Sequence, residues 1–433
     1  MIGYSRVLRM AASVLVGFAL AAPASTAGTL KEELTNLIAR HKTMLAAEAD
    51  VVAARENVSV AWGDWYPTLD VTGSWGYEKQ VKPAGTADTD LTPRELSVSV
   101  TQQLWDFGSS NSSIRSSRLT LDQSLATREA TRQNLLLQGI TAHLNLIRAN
   151  KLVQFAEGSV SNIKRQAELE DARVQRGSGF STDVLQAKTQ LAGANARVIQ
   201  TKGGLRTLMN RYRAVFYKTP DDIASLAEPR IPTELLPKTL EEAIQLAHQG
   251  NPGLRASRVT ADLAEESIVK SNIDEYYPSL EAIAEENHKI DQGGTTGSKL
   301  ERIIKVELSY DFNLGLTAVN TLKAAKQSHL ASVNRYGDTR DLTEEQARNA
   351  WDNLQTAREN AGYLRNQADI AAEFLELARR ERQLGNRSLI DVLAGETALI
   401  NASSDATSAE TNVAVAVFTL LNVMGALSPD VVD

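Results

Sequence analysis

The sequence has no cysteine among its 433 residues. No disulfide can therefore staple the chain, and no thiol is available for lipid attachment after processing. Histidine is scarce, and the five present, at 41, 143, 248, 288 and 329, show no metal-ligand spacing. No phosphate-cradling glycine motif follows a strand, and Glu285-Glu286 reads as a solvated strand end rather than a catalytic pair. These gaps remove the common enzyme classes, and neither a cofactor nor a metal is expected. Long apolar runs are also missing beyond the N-terminus. The best candidate, Val413 to Met424, is interrupted by Thr419 and Asn422 and falls short of the roughly 20 residues a spanning helix needs. If the chain meets a membrane, it must do so with strands. Aromatics make up only 5%, whereas Ala, Leu, Gln and Arg dominate long stretches, a mixture that favours long helices.

What is present begins with an export signal. Arg6 and Arg9 precede an apolar run from Met10 to Ala22, and small residues follow, so cleavage is expected after Ala27. Losing residues 1–27 removes those two arginines and no acid, which moves the formal charge from −7 to −9. Nothing in this balance suggests nucleic-acid binding.

The chain repeats itself. Trp65-Tyr66-Pro67-Thr68-Leu69 returns as Tyr276-Tyr277-Pro278-Ser279-Leu280, Trp105-Asp106-Phe107 as Tyr310-Asp311-Phe312, and Asp183-Val184-Leu185 as Asp391-Val392-Leu393. The expected division is a first repeat over 28–217, a linker over 218–239 holding Pro220, Pro229, Pro232 and Pro237, and a second repeat over 240–433. Each repeat reads helix, strand, strand, very long helix, sharp turn, helix. The helices are expected at 30–64, 109–176 and 181–217, then at 240–275, 316–384 and 388–425. The two shorter helices of a repeat would stack end to end beside the long one, giving a rod on the order of 100 Å. Ala347, Ala350, Leu354, Ala357, Ala361, Leu364, Ala368, Ala371, Leu375 and Ala378 alternate by three and four, a coiled-coil seam whose alanines let helices approach closely.

The strands have one apolar and one polar face. Leu96, Val98, Val100 and Leu104 alternate with Ser97, Ser99, Thr101 and Gln103; Ile304, Val306, Leu308, Tyr310 and Phe312 alternate with Ile303, Lys305, Glu307, Ser309 and Asp311. Companion strands are expected at 69–77 and 280–286, with polar loops at 79–95 and 289–299. Trp62, Trp65, Tyr66, Trp105, Tyr276, Tyr277 and Tyr310 cluster where helix meets strand, the placement of an inner aromatic girdle. Four strands cannot close a barrel, and open edges are not tolerated in lipid, so several chains must share one. Three chains would give twelve strands and some aqueous space; four remain compatible with the arithmetic.

On this doubled plan, the Tyr-Pro strand entries, and the turn segments Gly177 to Leu185 and Gly385 to Leu393, the sequence resembles the TolC family of outer-membrane channels over essentially the whole mature chain. The resemblance implies a mixed α and β membrane protein: a homotrimer with a shared twelve-stranded β-barrel and a coiled-coil helical tunnel through the periplasm. The tunnel would be closed at its tip until a periplasmic adaptor protein and an inner-membrane transporter dock. Thr182, Asp183 and Arg387 fall on positions that link neighbouring hairpins, and Asp391 on an acidic constriction ring. Ser388 and Asp391 also form a capping box, and Asp183 suits a helix start, so a purely local role is an equal alternative for both aspartates. Ala394 stands where the family has a second ring aspartate and Arg382 where it has a linking tyrosine; these departures touch the closing contacts and the ion preference. The implied role is the exit duct of a type I secretion system carrying a large protein such as an adhesin or an RTX-like protein. A multidrug-efflux duct is the alternative, disfavoured because many such ducts carry an acylated N-terminal cysteine. A pore-less periplasmic scaffold would explain the seam but not the strands.

Overall fold

The computed structural model describes residues 29–220, 222–311 and 313–432. The expected export signal and Phe312 lie outside the described residues. In order come α1 (Leu30–Arg40), α2 (Lys42–Trp62), β1 (Thr68–Trp75), β2 (Glu78–Gln80), β3 (Thr89–Leu91), β4 (Arg94–Trp105), α3 (Ser109–Gln175) and α4 (Ser181–Phe216). After the linker follow α5 (Leu240–Gly250), α6 (Pro252–Tyr276), β5 (Ser279–Ile290), β6 (Ser298–Ser309), α7 (Thr317–Gln383) and α8 (Leu389–Val423).

The long helices α3 and α7 have 67 residues each, about 100 Å at 1.5 Å per residue. Beside α3 lie α2 near the strands and α4 toward the far tip; between α3 and α7 lie α6 and then α8. The result is a wall four columns wide, in the order α2/α4, α3, α6/α8, α7. The seam expected on α7 faces α8. Ala347, Ala350, Leu354, Leu375 and Ala378 are buried, and Ala357, Ala361, Leu364, Ala368 and Ala371 are half-buried between exposed neighbours.

Two helices expected to be continuous are broken, 210 residues apart. The first stops at Arg40 because His41 is extended (φ −70°, ψ 132°), with its ring accepting from the Thr43 N–H at 3.3 Å. The second stops at Gly250. Asn251 precedes a proline, which disfavours helical backbone there, and its side chain caps α6 by accepting from the Leu254 N–H at 3.0 Å, with Pro252 at the first helical position.

The four main strands form one antiparallel sheet in the order β1-β4-β5-β6. Since β1 follows α2, β4 leads into α3, β5 follows α6 and β6 leads into α7, strand order copies column order. The register sorts the side chains. Val71, Val98, Val100, Ala284, Ile304 and Leu308 share one face, while Asp70, Ser99, Thr101, Glu285, Glu301 and Lys305 share the other. A bulge between Gln103 and Trp105 interrupts the expected alternation. Before it, regular alternation places Gln102 on the apolar face with Val98 and Val100, where its amide donates to the Trp65 carbonyl at 3.1 Å. β5 runs four residues past the expected end at Glu286, so Glu285 and Glu286 are not a strand terminus. Arg302 on β6 pairs with Glu286 at 2.7 Å, and Asn287 donates to Glu285 at 2.5 Å. The loop expected over 79–95 contains the small hairpin β2–β3, and β1 ends at Trp75 rather than at 77.

The largest core lies at mid-height, where Leu34, Leu136, Ile140, Leu146, Tyr212, Phe418 and Leu421 are buried under the linker and the C-terminal segment. Val413–Met424, the most apolar late stretch, is spent here. None of the described helices is long and apolar enough to cross a membrane.

Candidate functional site

At the end farthest from the sheet, two hairpin turns are built alike. α3 ends in a turn in which the Gly177 N–H donates to the Val174 carbonyl at 2.9 Å and the Ser178 N–H to Arg173 at 3.0 Å. α7 ends with Gly385 N–H on Arg382 at 3.1 Å and Asn386 N–H on Glu381 at 2.9 Å. Both turns need a left-handed residue, and Gly177 (φ 75°) and Gly385 (φ 83°) supply it without the penalty a Cβ would bring. The repeated glycines thus place Asp183 and Asp391 in equivalent first turns, of α4 and α8. Thr182 is exposed beside Asp183. Ser388 caps α8 by accepting from the Asp391 N–H at 3.2 Å, so the capping role considered for that motif is present.

The cation facing Asp183 within the chain is Arg382, at 3.5 Å, and not Arg387. Arg387 lies beyond the Gly385 turn and reaches back along its own hairpin, donating to Glu381 at 2.6 Å and lying over the Phe374 ring at 5.4 Å. Arg382 instead ties three segments together: Glu170 on α3 at 2.9 Å, Asp183 on α4, and the Arg387 carbonyl at 3.2 Å. The position that departs from the tyrosine the resemblance implies thus carries a link between the two hairpins at their tip.

The sequence reading missed the carboxylates behind these links. Glu170 is buried and also accepts from Arg173 at 2.9 Å. Two turns higher, buried Glu396 on α8 is held by Arg379 on α7 and lies 3.5 Å from the Asn162 amide on α3. A carboxylate stripped of water stays ionised only beside a cation or strong donors, so each acid obliges its arginine to stay. No periodicity marks them, because helices rich in Glu and Arg look alike until the packing order is known.

At the other end of the wall, the aromatics gather where helix meets strand. Trp62, Tyr66, Trp105, Tyr276, Tyr277 and Tyr310 are exposed, and Trp65 is half-buried. Phe107, absent from the expected set, joins them, 6.1 Å from Trp105 and 5.2 Å from Tyr277. Asp106 fixes this junction, accepting from the Gly108 N–H at 2.9 Å and the Ser110 N–H at 2.6 Å. Burial pushes its carboxyl up, but a hydrogen bond from the Ser110 hydroxyl together with these backbone bonds outweighs that and holds it below the usual carboxylate range. A second aromatic pair, Trp75 and Tyr77, stands exposed at the opposite end of β1. Among the described residues no group of three or more His, Asp or Glu could hold a metal.

Comparison with known proteins agrees with this architecture. Residues 34–214 and 243–426, both repeats, match the family described as outer membrane efflux protein. The outer membrane efflux protein BepC of Brucella suis is 24% identical over 97% of this chain and 90% of its own. Outer membrane protein TolC of Vibrio cholerae is 25% identical over 90% and 89%. The alkaline protease secretion protein AprF of Pseudomonas aeruginosa is 21% identical over 78% and 71%. Among solved structures, the outer-membrane channel OprN superposes with a TM-score of 0.79 at 19% identity, over 92% of this chain and 90% of that one. The match across both repeats sets aside the pore-less scaffold: the chain belongs to the outer membrane efflux protein family of TolC-type outer-membrane channels.

Proposed function

We propose that the chain is the exit duct of a tripartite export machine, three copies closing one twelve-stranded barrel and one helical tunnel, served by a periplasmic adaptor and an inner-membrane transporter. The observation that carries this reading is the sheet. It has one apolar face, one polar face and two open edges, and it stands on a wall of helices about 100 Å long. The junction aromatics are its periplasmic girdle. Light scattering in detergent should report a trimer; a folded monomer would sink the shared barrel.

The hairpin tips are the gate. Thr182, Asp183, Arg387 and Asp391 form the constriction, and Arg382 holds the two hairpins of one chain together behind it. Arg387→Ser should raise single-channel conductance in planar bilayers while the trimer stays intact. An unchanged conductance would leave Arg387 a turn residue tied to Glu381.

The cargo read here is a large secreted protein, supported by the absence of a cysteine for acylation and by the likeness to a protein named for protease secretion. Small-molecule efflux is the second reading, supported by the likeness to a protein named for efflux. Deleting the gene in its native bacterium separates them. Loss of a large exoprotein from the medium with unchanged tolerance of dyes and detergents favours secretion, and the reverse favours efflux.

A further inference from the structure

The apolar face of the sheet does not stay apolar to its outer end. Inward from Ile304 its paired positions hold Gln102, Trp105, Leu280, Ala282, Val306 and Leu308, none of them charged. Outward, the next three rungs bring Arg302 in line with Glu286, then His288, then Arg94 in line with Trp75. All five side chains are exposed. Register sets Arg94 diagonal to His288 and His288 diagonal to Arg302, each step about 7–8 Å and within reach of long side chains. Three neighbouring strands thus contribute one nitrogen-bearing side chain each to a slanting line across the sheet. The charges on it are unequally answered. Arg302 pairs with Glu286 at 2.7 Å, and His288 keeps its Nε2 beside the Ser298 hydroxyl at 2.8 Å. Arg94 pairs with no carboxylate among the described residues.

We infer that Arg94, His288 and Arg302 bind the phosphate of a phosphorylated glycolipid in the outer leaflet. This rests on the duct reading above, in which this face meets lipid and both strand-connecting loops point out of the cell. Depth argues for a headgroup. At about 3.3 Å per residue and a tilt of about 40°, Arg302, His288 and Arg94 stand about 5, 10 and 15 Å outward of Ile304. An apolar band about 25 Å tall and centred on Ile304 ends about 12 Å from it. Arg94 therefore lies at headgroup height, with His288 just beneath, and the long stem of Arg302 lets its guanidinium rise toward the same level. Charge argues for phosphate. Glu286 answers only one of the two arginines, so the line carries a net positive charge where acyl chains give way to headgroups. Arginine forks match phosphate oxygens two hydrogen bonds at a time, and Trp75 sets an exposed aromatic ring beside Arg94 at the interface. The inner half of the same strands has no such line, so the site distinguishes one leaflet from the other.

The test uses the purified trimer in detergent and counts bound lipid by native mass spectrometry, with lipid A, lipid A stripped of its phosphates, and phosphatidylglycerol as probes. Lipid A should bind saturably, and each of the other two about tenfold more weakly or worse. Arg94→Gln should weaken lipid A binding about tenfold while the chain stays trimeric in unheated gels. Lys305→Thr, on the opposite face, should leave the binding unchanged. Equal binding of lipid A with and without its phosphates needs no variant to be seen, and it would overturn the site while leaving the duct standing. Undiminished binding by a trimeric Arg94→Gln, or a loss in Lys305→Thr instead, would do the same. Phosphatidylglycerol held as tightly as lipid A would overturn the assignment to the outer leaflet. Failure of the wild-type chain to form any trimer would overturn the duct reading itself.

Discussion

Glu396 shows how a single residue can govern a large element here. Its side chain is 3% exposed, whereas that of its partner Arg379 is 38% exposed. Removing either partner therefore leaves unequal remainders. Arg379→Ala strands a buried carboxylate with only the Asn162 amide at 3.5 Å, and leaving a buried charge unpaired costs about 3–5 kcal/mol. Glu396→Gln leaves an arginine that can swing into water, a loss of about 1 kcal/mol, typical of one hydrogen bond. Guanidinium unfolding in detergent should rank Arg379→Ala well below Glu396→Gln. Equal losses would mean that the carboxylate is hydrated and the clamp is a surface pair.

At the scale of elements, the contact between α3 and α6 depends on pH in a direction the structure fixes. Glu266 on α6 is largely buried, which pushes its carboxyl up, but hydrogen bonds from Arg115 at 2.7 Å and from the Ser112 hydroxyl outweigh burial and hold it below its ordinary value. The folded chain thus binds this proton less readily than the unfolded chain. Its contribution is complete above the ordinary carboxylate value of about 4.3 and is lost as the pH falls through the lower folded value. The stability gap between wild type and Glu266→Gln should be constant near neutrality and close below about pH 4; a gap that closed near pH 6 would contradict this. Asn251→Ala should remove the cap that starts α6, lowering stability by about 1 kcal/mol in the same unfolding assay. Much of this level was legible beforehand. The repeated Tyr-Pro entries and the Asp-Val-Leu turns located the strands and tips, and the alanine seam on α7 named the face that meets α8. The break at Asn251-Pro252 carried a readable signal in the proline, while the break at His41 had none, since an extended histidine leaves no mark on periodicity. Glu170 and Glu396 were hidden for a different reason: whether a glutamate on a long helix is solvated or buried depends on which columns flank it, a property of the assembled wall.

For the whole molecule, the membrane boundary follows from the strand register, which can be tested at two adjacent residues. Ile304 is 89% exposed and shares its face with Val100, Ala284 and Leu69 about halfway along the sheet. Lys305 points to the other face, beside Thr101, Ile283 and Thr68, and pairs with Glu307. If the apolar face meets lipid, Ile304→Lys places an ammonium near the bilayer midplane, where a cation on the outside of a barrel costs about 2–4 kcal/mol. Each of three protomers would bear that cost, enough to deplete assembled trimer from the outer membrane. Lys305→Thr changes only a lumen wall that already carries both signs of charge, so assembly should persist and only conductance should shift. The readout is the fraction of chain that remains trimeric in unheated detergent gels of purified outer membranes. If both variants assembled as well as wild type, the apolar face would not be the lipid face; if Lys305→Thr failed and Ile304→Lys did not, the sheet would be inside out relative to this reading.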